Sequence, residues 1–125
     1  MARKRTKQEP APTEGNRLAI TPERFVRLYR LLGELADGPR PRSALLKTLR
    51  LDIRGFYRDL ETLRVVGIQV TLREGLYHLQ GDAEAARARL PFPDVRLTLA
   101  EARQLAKGRA RVHRWLQERI DGWTA

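Results

Sequence analysis

Apolar residues recur along this chain first at the period of a helix and then at the period of a strand. From Thr21 onward, Phe25, Leu28, Leu32 and Leu35 fall three or four residues apart, the spacing of one helical face. Thr21 is a good N-cap, and Pro22 suits the first helical position, where its missing N–H needs no partner. Asp37-Gly38-Pro39 ends this first helix. A short second helix opens at Pro41 or Arg42 and carries Leu45, Leu46 and Leu49 as its apolar face. Arg50-Leu51-Asp52 makes a tight connection, with Asp52 as the N-cap of a third helix over 53–66. There the spacing of Ile53, Phe56, Leu60 and Leu63 predicts one inward stripe, and Gly67 predicts the stop. After Gly67 the period drops to two. Ile68, Val70 and Leu72, then Tyr77 and Leu79, alternate with polar residues around Arg73-Glu74-Gly75, which predicts a β-hairpin over 68–80. Two strands alone are marginal in water, so the hairpin must pack on the helices.

The flanks read differently. Residues 1–17 contain Arg3, Lys4, Arg5 and Lys7 and no apolar period, which predicts a disordered basic arm. Residues 18–80 hold the three helices and the hairpin. Residues 81–97 run through Gly81-Asp82, an Ala/Arg stretch and Pro91-Phe92-Pro93, which predicts a linker in which 83–90 can form a brief helical turn. Thr98 and Glu101 make a capping-box pair and open a final helix, or helix pair, over 98–123. Gly108 is a point where that helix can kink or split. Ala102, Leu105, Val112, Leu116, Ile120 and Trp123 lie near one face of it. The predicted class is α+β, mainly α, with a C-terminal helical extension.

Length and charge narrow the function. The chain has 125 residues, enough for one domain and tails. Its 25 Lys and Arg against 15 Asp and Glu give a net charge of +10, which points to a polyanionic partner, nucleic acid first. There is no cysteine, so disulfides, thiolate catalysis and cysteine-based zinc sites are excluded. No apolar run approaches the roughly 20 residues of a membrane span. Met1 to Lys7 is basic with no apolar segment after it, unlike a secretory signal, so a cytoplasmic, nucleoid-associated location is expected. His78 and His113 stand alone, without a nucleophile or metal-ligand spacing nearby, and no glycine-rich phosphate loop occurs. No enzyme activity, metal, cofactor or small-molecule effector is expected.

Helix, short helix, tight turn, longer helix and hairpin is the order of a winged helix-turn-helix with a two-stranded wing. The major groove of DNA admits one α-helix, and the second helix braces the third from behind. With the apolar stripe inward, the third helix presents Arg54, Tyr57, Arg58 and Glu61 outward. Arg54, Tyr57 and Arg58 are the candidate base contacts, since an arginine can pair with both acceptors of a guanine. Gly55 would let the backbone approach DNA closely. Residues 51–82 pose a difficulty, because Arg54, Arg58, Arg64 and Arg73 are outweighed by Asp52, Asp59, Glu61, Glu74 and Asp82. Phosphate contacts then fall to Arg40, Arg42 and Lys47, with Arg73 and the basic arm assisting. That neutral region also leaves room for a protein-interaction module, and the basic flanks for RNA binding, although no aromatic stacking pattern supports RNA.

The stretch Leu51-Asp52-Ile53-Arg54-Gly55-Phe56-Tyr57-Arg58-Asp59-Leu60-Glu61-Thr62-Leu63 resembles the recognition helix of DeoR-type winged helices, closest to those at the N-terminus of WYL-domain transcription regulators. Gly67 and the Gly75, Tyr77, Leu79 spacing of the hairpin fit the same pattern, and the resemblance covers about residues 20–80. Leu90-Pro91-Phe92-Pro93 with Leu97-Thr98-Leu99-Ala100-Glu101-Ala102 is similar to the linker and helix that follow in those regulators. The resemblance implies sequence-specific binding of double-stranded DNA and transcriptional regulation. Asp52 stands where that pattern has serine and Gly55 where it has threonine. No W-Y-L sequence occurs, so ligand sensing is not expected to carry over. Such operators are commonly read by two-fold dimers. That symmetry, and the length of the predicted linker, favour self-association through Leu105, Val112, Leu116 and Ile120 over packing of the last helix on its own chain.

Overall fold

The computed structural model describes residues 19–93 and 97–125; Arg3, Lys4, Arg5 and Lys7 lie outside them. The architecture is α+β and mainly helical, with two small antiparallel sheets. No helix among the described residues is long and apolar enough to cross a membrane.

Helix α1 (Pro22–Ala36) is the hub. The Thr21 side chain accepts a hydrogen bond from the Arg24 N–H, and Pro22 occupies the first turn. Phe25, Leu28, Leu31, Leu32 and Leu35 are all buried along it. After it, Arg40–Pro41 forms β1, and α2 (Arg42–Leu49) follows at once, burying Leu45 and Leu49. Arg50 takes a left-handed conformation, φ 56°, and turns the chain into α3 (Ile53–Val65). Asp52 caps α3 by accepting from the Gly55 N–H at 2.7 Å.

Strands β2 (Val70–Arg73) and β3 (Leu76–Leu79) pair in register Val70↔Leu79 and Arg73↔Leu76. Only Glu74 and Gly75 connect them, both with positive φ (54° and 78°). Two successive positive φ angles make the turn that matches strand twist, and glycine takes one of them without strain. The hairpin gains a third strand that alternation does not reveal. β1 pairs antiparallel with β3, Arg40 opposite Tyr77, giving the order β1-β3-β2. Two residues are too short to show a period, so the two-stranded expectation is corrected.

Residues 82–93 of the segment expected as a linker form regular structure. Asp82 caps α4 (Ala83–Ala88), which lies on α1 with Ala86 buried. The Arg87 guanidinium stacks 3.8 Å over the Tyr29 ring and donates to the Tyr29 carbonyl. Arg89 donates to the carbonyl of Val66. β4 (Pro91–Phe92) then pairs with β5 (Leu97–Thr98), and Leu90 and Phe92 enter the core. Phe25 and Phe92 meet edge to face at 5.9 Å, with Trp123 5.4 Å from Phe92.

The last helix is split near Gly108 into α5 (Leu99–Leu105) and α6 (Arg111–Trp123). The Thr98–Glu101 capping box is formed in both directions. The apolar stripe divides accordingly. Ala102 and Ile120 are buried in the chain's own core, and Leu116 and Trp123 pack against it. Ile120 is therefore not available to a second copy, a correction that follows from the packing of α6 on α1 and α5. Leu105 and Val112 remain 52% and 66% exposed.

Candidate nucleic-acid interface

The buried arc of α3 is rotated from the one its apolar residues predict. It consists of Gly55, Phe56, Asp59, Thr62 and Leu63, whereas Ile53 is 49% exposed and Leu60 half-buried on the flank. Ile53 is the first residue of the helix, beyond the edge of the core. The centre of the arc is a carboxylate, Asp59, with no exposed surface.

Asp59 is matched from α1. Arg27 grips both its oxygens, Nε to Oδ2 at 2.7 Å and Nη2 to Oδ1 at 3.0 Å. Arg24 donates to Oδ1 at 3.1 Å and to the Thr62 hydroxyl at 2.8 Å. Thr62 in turn donates to the Arg58 carbonyl. The Asp59 hydrogen bond, opposed by burial, holds the Arg27 guanidinium above its ordinary pKa. A buried charge is tolerated only when paired and hydrogen-bonded, and a two-armed arginine does both. The network fixes the rotation of α3 about its own axis. The signal for it was present in the sequence: Asp59 lies between inward Phe56 and Leu63, and Arg24 and Arg27 are one turn apart on the first helix.

The opposite face is set by that rotation. Arg54, Tyr57, Arg58 and Glu61 are all exposed there, as the spacing predicts. Among the described residues, no side-chain hydrogen bond or ion pair engages the guanidinium of Arg54 or Arg58. Glu61 forms an ion pair with Arg64 one turn on. Gly55 is not on this face. It is buried, and a Cβ there would come within 3.0 Å of Asp52 Oδ1 and 3.2 Å of Leu51. Its small size serves the tight turn between α2 and α3, not a close approach from outside.

Tyr57 links α3 to the neighbouring elements. Its hydroxyl accepts from Arg42 Nη1, at the start of α2, at 3.0 Å. Behind it, Phe56 stacks edge-on against Tyr77 of β3 at 5.2 Å. Tyr77 and then Arg42 hold the Tyr57 phenol below its usual pKa. Burial, with the Tyr57 hydroxyl, pushes Tyr77 up to about 12. A phenol that stays protonated longer in the folded chain stabilises the fold at lower pH. That contribution is full below the ordinary value of 10.0 and disappears as pH rises to about 12. Equilibrium unfolding should therefore show stability falling over that window, and Tyr77→Phe should flatten the fall. An unchanged slope in Tyr77→Phe would contradict the assignment.

Of the other candidate residues, Arg42 adjoins this face through its bond to Tyr57. Arg42, Lys47 and Arg73 are exposed, on α2 and on β2 near the hairpin tip. Arg40 is half-buried in β1 and lies 3.7 Å from Glu34, so it is less free than expected. The excess of acids over 51–82 also looks different in three dimensions. Asp52 and Asp82 cap helices, Asp59 is buried between two arginines, and Glu61 is paired. Glu74, at the hairpin turn, is the acid among them without such a role. No group of three or more His, Asp or Glu among the described residues can hold a metal ion.

None of the known family models, curated proteins or solved structures matches the chain.

Proposed function

We propose that the chain is a winged helix-turn-helix protein that binds double-stranded DNA in a sequence-preferring way and regulates transcription, with no catalytic activity of its own. The observation that carries the reading is the outer face of α3. It offers two guanidiniums, Arg54 and Arg58, one turn apart and unpaired among the described residues, while the inner face is locked by Asp59 to α1. A rigid helix with free arginines is what reading base edges in a major groove requires. Tyr57 stands between them, held by Arg42, so that α2 and α3 meet the duplex together. Lys47 on α2 and Arg73 on β2 are exposed and serve phosphates, with the hairpin as the wing. Arg40 contributes less, because Glu34 already neutralises part of its charge.

Selection of bound fragments from random duplex DNA tests this reading, and enrichment of a short common sequence is the expected result. Recovery of fragments with no shared sequence would reduce the protein to a non-specific binder, and recovery of nothing would refute the reading. The basic arm should add to affinity through the backbone alone. Deleting residues 1–17 is expected to lower the slope of log K against log salt while leaving the preferred sequence unchanged. An unchanged slope would show that Arg3, Lys4, Arg5 and Lys7 take no part.

A further inference from the structure

The carboxyl-terminal helices leave an apolar cleft that the DNA-binding reading does not use. Phe92, Pro93, Leu97, Leu105, Leu116 and Trp123 line a cavity of about 380 Å³ between β4–β5, the α5–α6 pair and Pro22 at the start of α1. Its open edge is marked by Leu105, and by Trp115, which is 56% exposed. Val112, one turn before Trp115 and Leu116, is also exposed. A cluster of large apolar side chains at the mouth of a concave site is the usual form of a peptide-binding groove.

The charge around it is one-sided. Arg119 is the charged residue on the wall, with its guanidinium 4.9 Å over the Trp115 ring. Lys107, Arg109, Arg111 and Arg114 are exposed on the α5–α6 connection and the first turns of α6. Among the described residues, the acids of this region are fewer. Glu101 is held in the capping box, Asp121 accepts from Gln117, and Glu118 is exposed. A second copy of this chain would bring the same arginines face to face, which costs association energy. A nucleic acid would satisfy the cations but leave the apolar cleft unfilled.

We infer that this cleft docks an acidic peptide segment carrying bulky apolar side chains, supplied by a partner protein. The apolar anchors enter between Leu105, Phe92 and Trp123, and the acids meet Arg119 and the exposed basic residues beside it. The inference is independent of DNA binding and stands or fails separately from it.

The test is to pan a displayed library of random peptides of about a dozen residues against the intact protein, with heparin present to suppress purely electrostatic capture. The recovered peptides are then synthesised with a label, and their affinities measured by anisotropy. The targets are the wild type and the Leu105→Asp, Trp115→Ala and Arg119→Glu variants. All three positions are exposed, so the variants should fold, which circular dichroism verifies. The expected peptides combine Asp or Glu with Leu, Phe or Trp. Leu105→Asp and Trp115→Ala should each weaken them by about tenfold or more. Lysine in place of their acids should abolish binding, and Arg119→Glu should weaken the acidic peptides selectively. Four results would overturn the inference: no peptide above background, peptides without an acidic excess, binding indifferent to the three substitutions, or a wild-type dimer in sedimentation that Trp115→Ala dissociates. The last would make the occupant a second copy.

Discussion

Replacing Asp59 by alanine is expected to destabilise the protein by about 3 kcal/mol, among the largest effects of any polar substitution. The carboxylate has no exposed surface and accepts from two arginines whose side chains are themselves only 23% and 24% exposed. Removing it leaves two positive charges adjacent and mostly buried with no counter-charge. The Arg24 Nε already lacks a partner among the described residues, so no spare acceptor is at hand there. The attraction recovered from the pair is smaller than this figure, because desolvation opposes it. A combined replacement of Asp59, Arg24 and Arg27 by apolar residues of similar size should accordingly recover much of the loss. Urea unfolding of the single and combined variants checks both statements. If Asp59→Ala costs less than about 1 kcal/mol, the network is not what orients α3.

The second large effect is expected at Phe25, where alanine should cost about 3–5 kcal/mol. Phe25 is fully buried and touches Tyr29 of its own helix, Phe92 of β4 and Trp123 of α6. It therefore joins the segment beyond residue 80 to the helices and hairpin before it. A cavity at that junction should loosen both parts together, so unfolding followed by tryptophan fluorescence and by far-ultraviolet circular dichroism should remain coincident. Trp115 and Trp123 both lie in α6 and report on that side. Separate transitions would mean that the carboxyl-terminal helices are a unit apart, as a true linker over 81–97 would have made them.

The difference between these two sites shows which parts of the structure were legible in the amino-acid sequence. Caps and turns were, because each depends on residues within three or four positions: Thr21, Asp52, the Thr98–Glu101 box and the Glu74-Gly75 turn are all formed. The helix spacing also placed Arg54, Tyr57 and Arg58 on an exposed face. What escaped depends on partners remote in the chain. Pro91-Phe92-Pro93 has the composition of a linker, and Phe25 and Trp123, remote in the chain, help to make Phe92 a core residue. The two-residue strand Arg40–Pro41 exists because β3 offers an open edge. The charge count over 51–82 includes Asp59 with the other acids, because a lone carboxylate ordinarily belongs in water. Arg24 and Arg27, more than thirty positions away, reverse that preference. Once they do, the net negative charge counted along 51–82 no longer describes the surface of α3.

Arg54 and Arg58 are the proposed sequence readers, and equilibrium binding of Arg54→Ala, Arg58→Ala and the double variant measures this most directly. Each is titrated against the selected duplex and against a scrambled duplex at one fixed salt concentration. The expected result is a loss of about 1–3 kcal/mol per arginine on the selected duplex, with a much smaller loss on the scrambled one, so that the double variant no longer distinguishes them. Folded variants that keep wild-type affinity and wild-type preference would contradict the account.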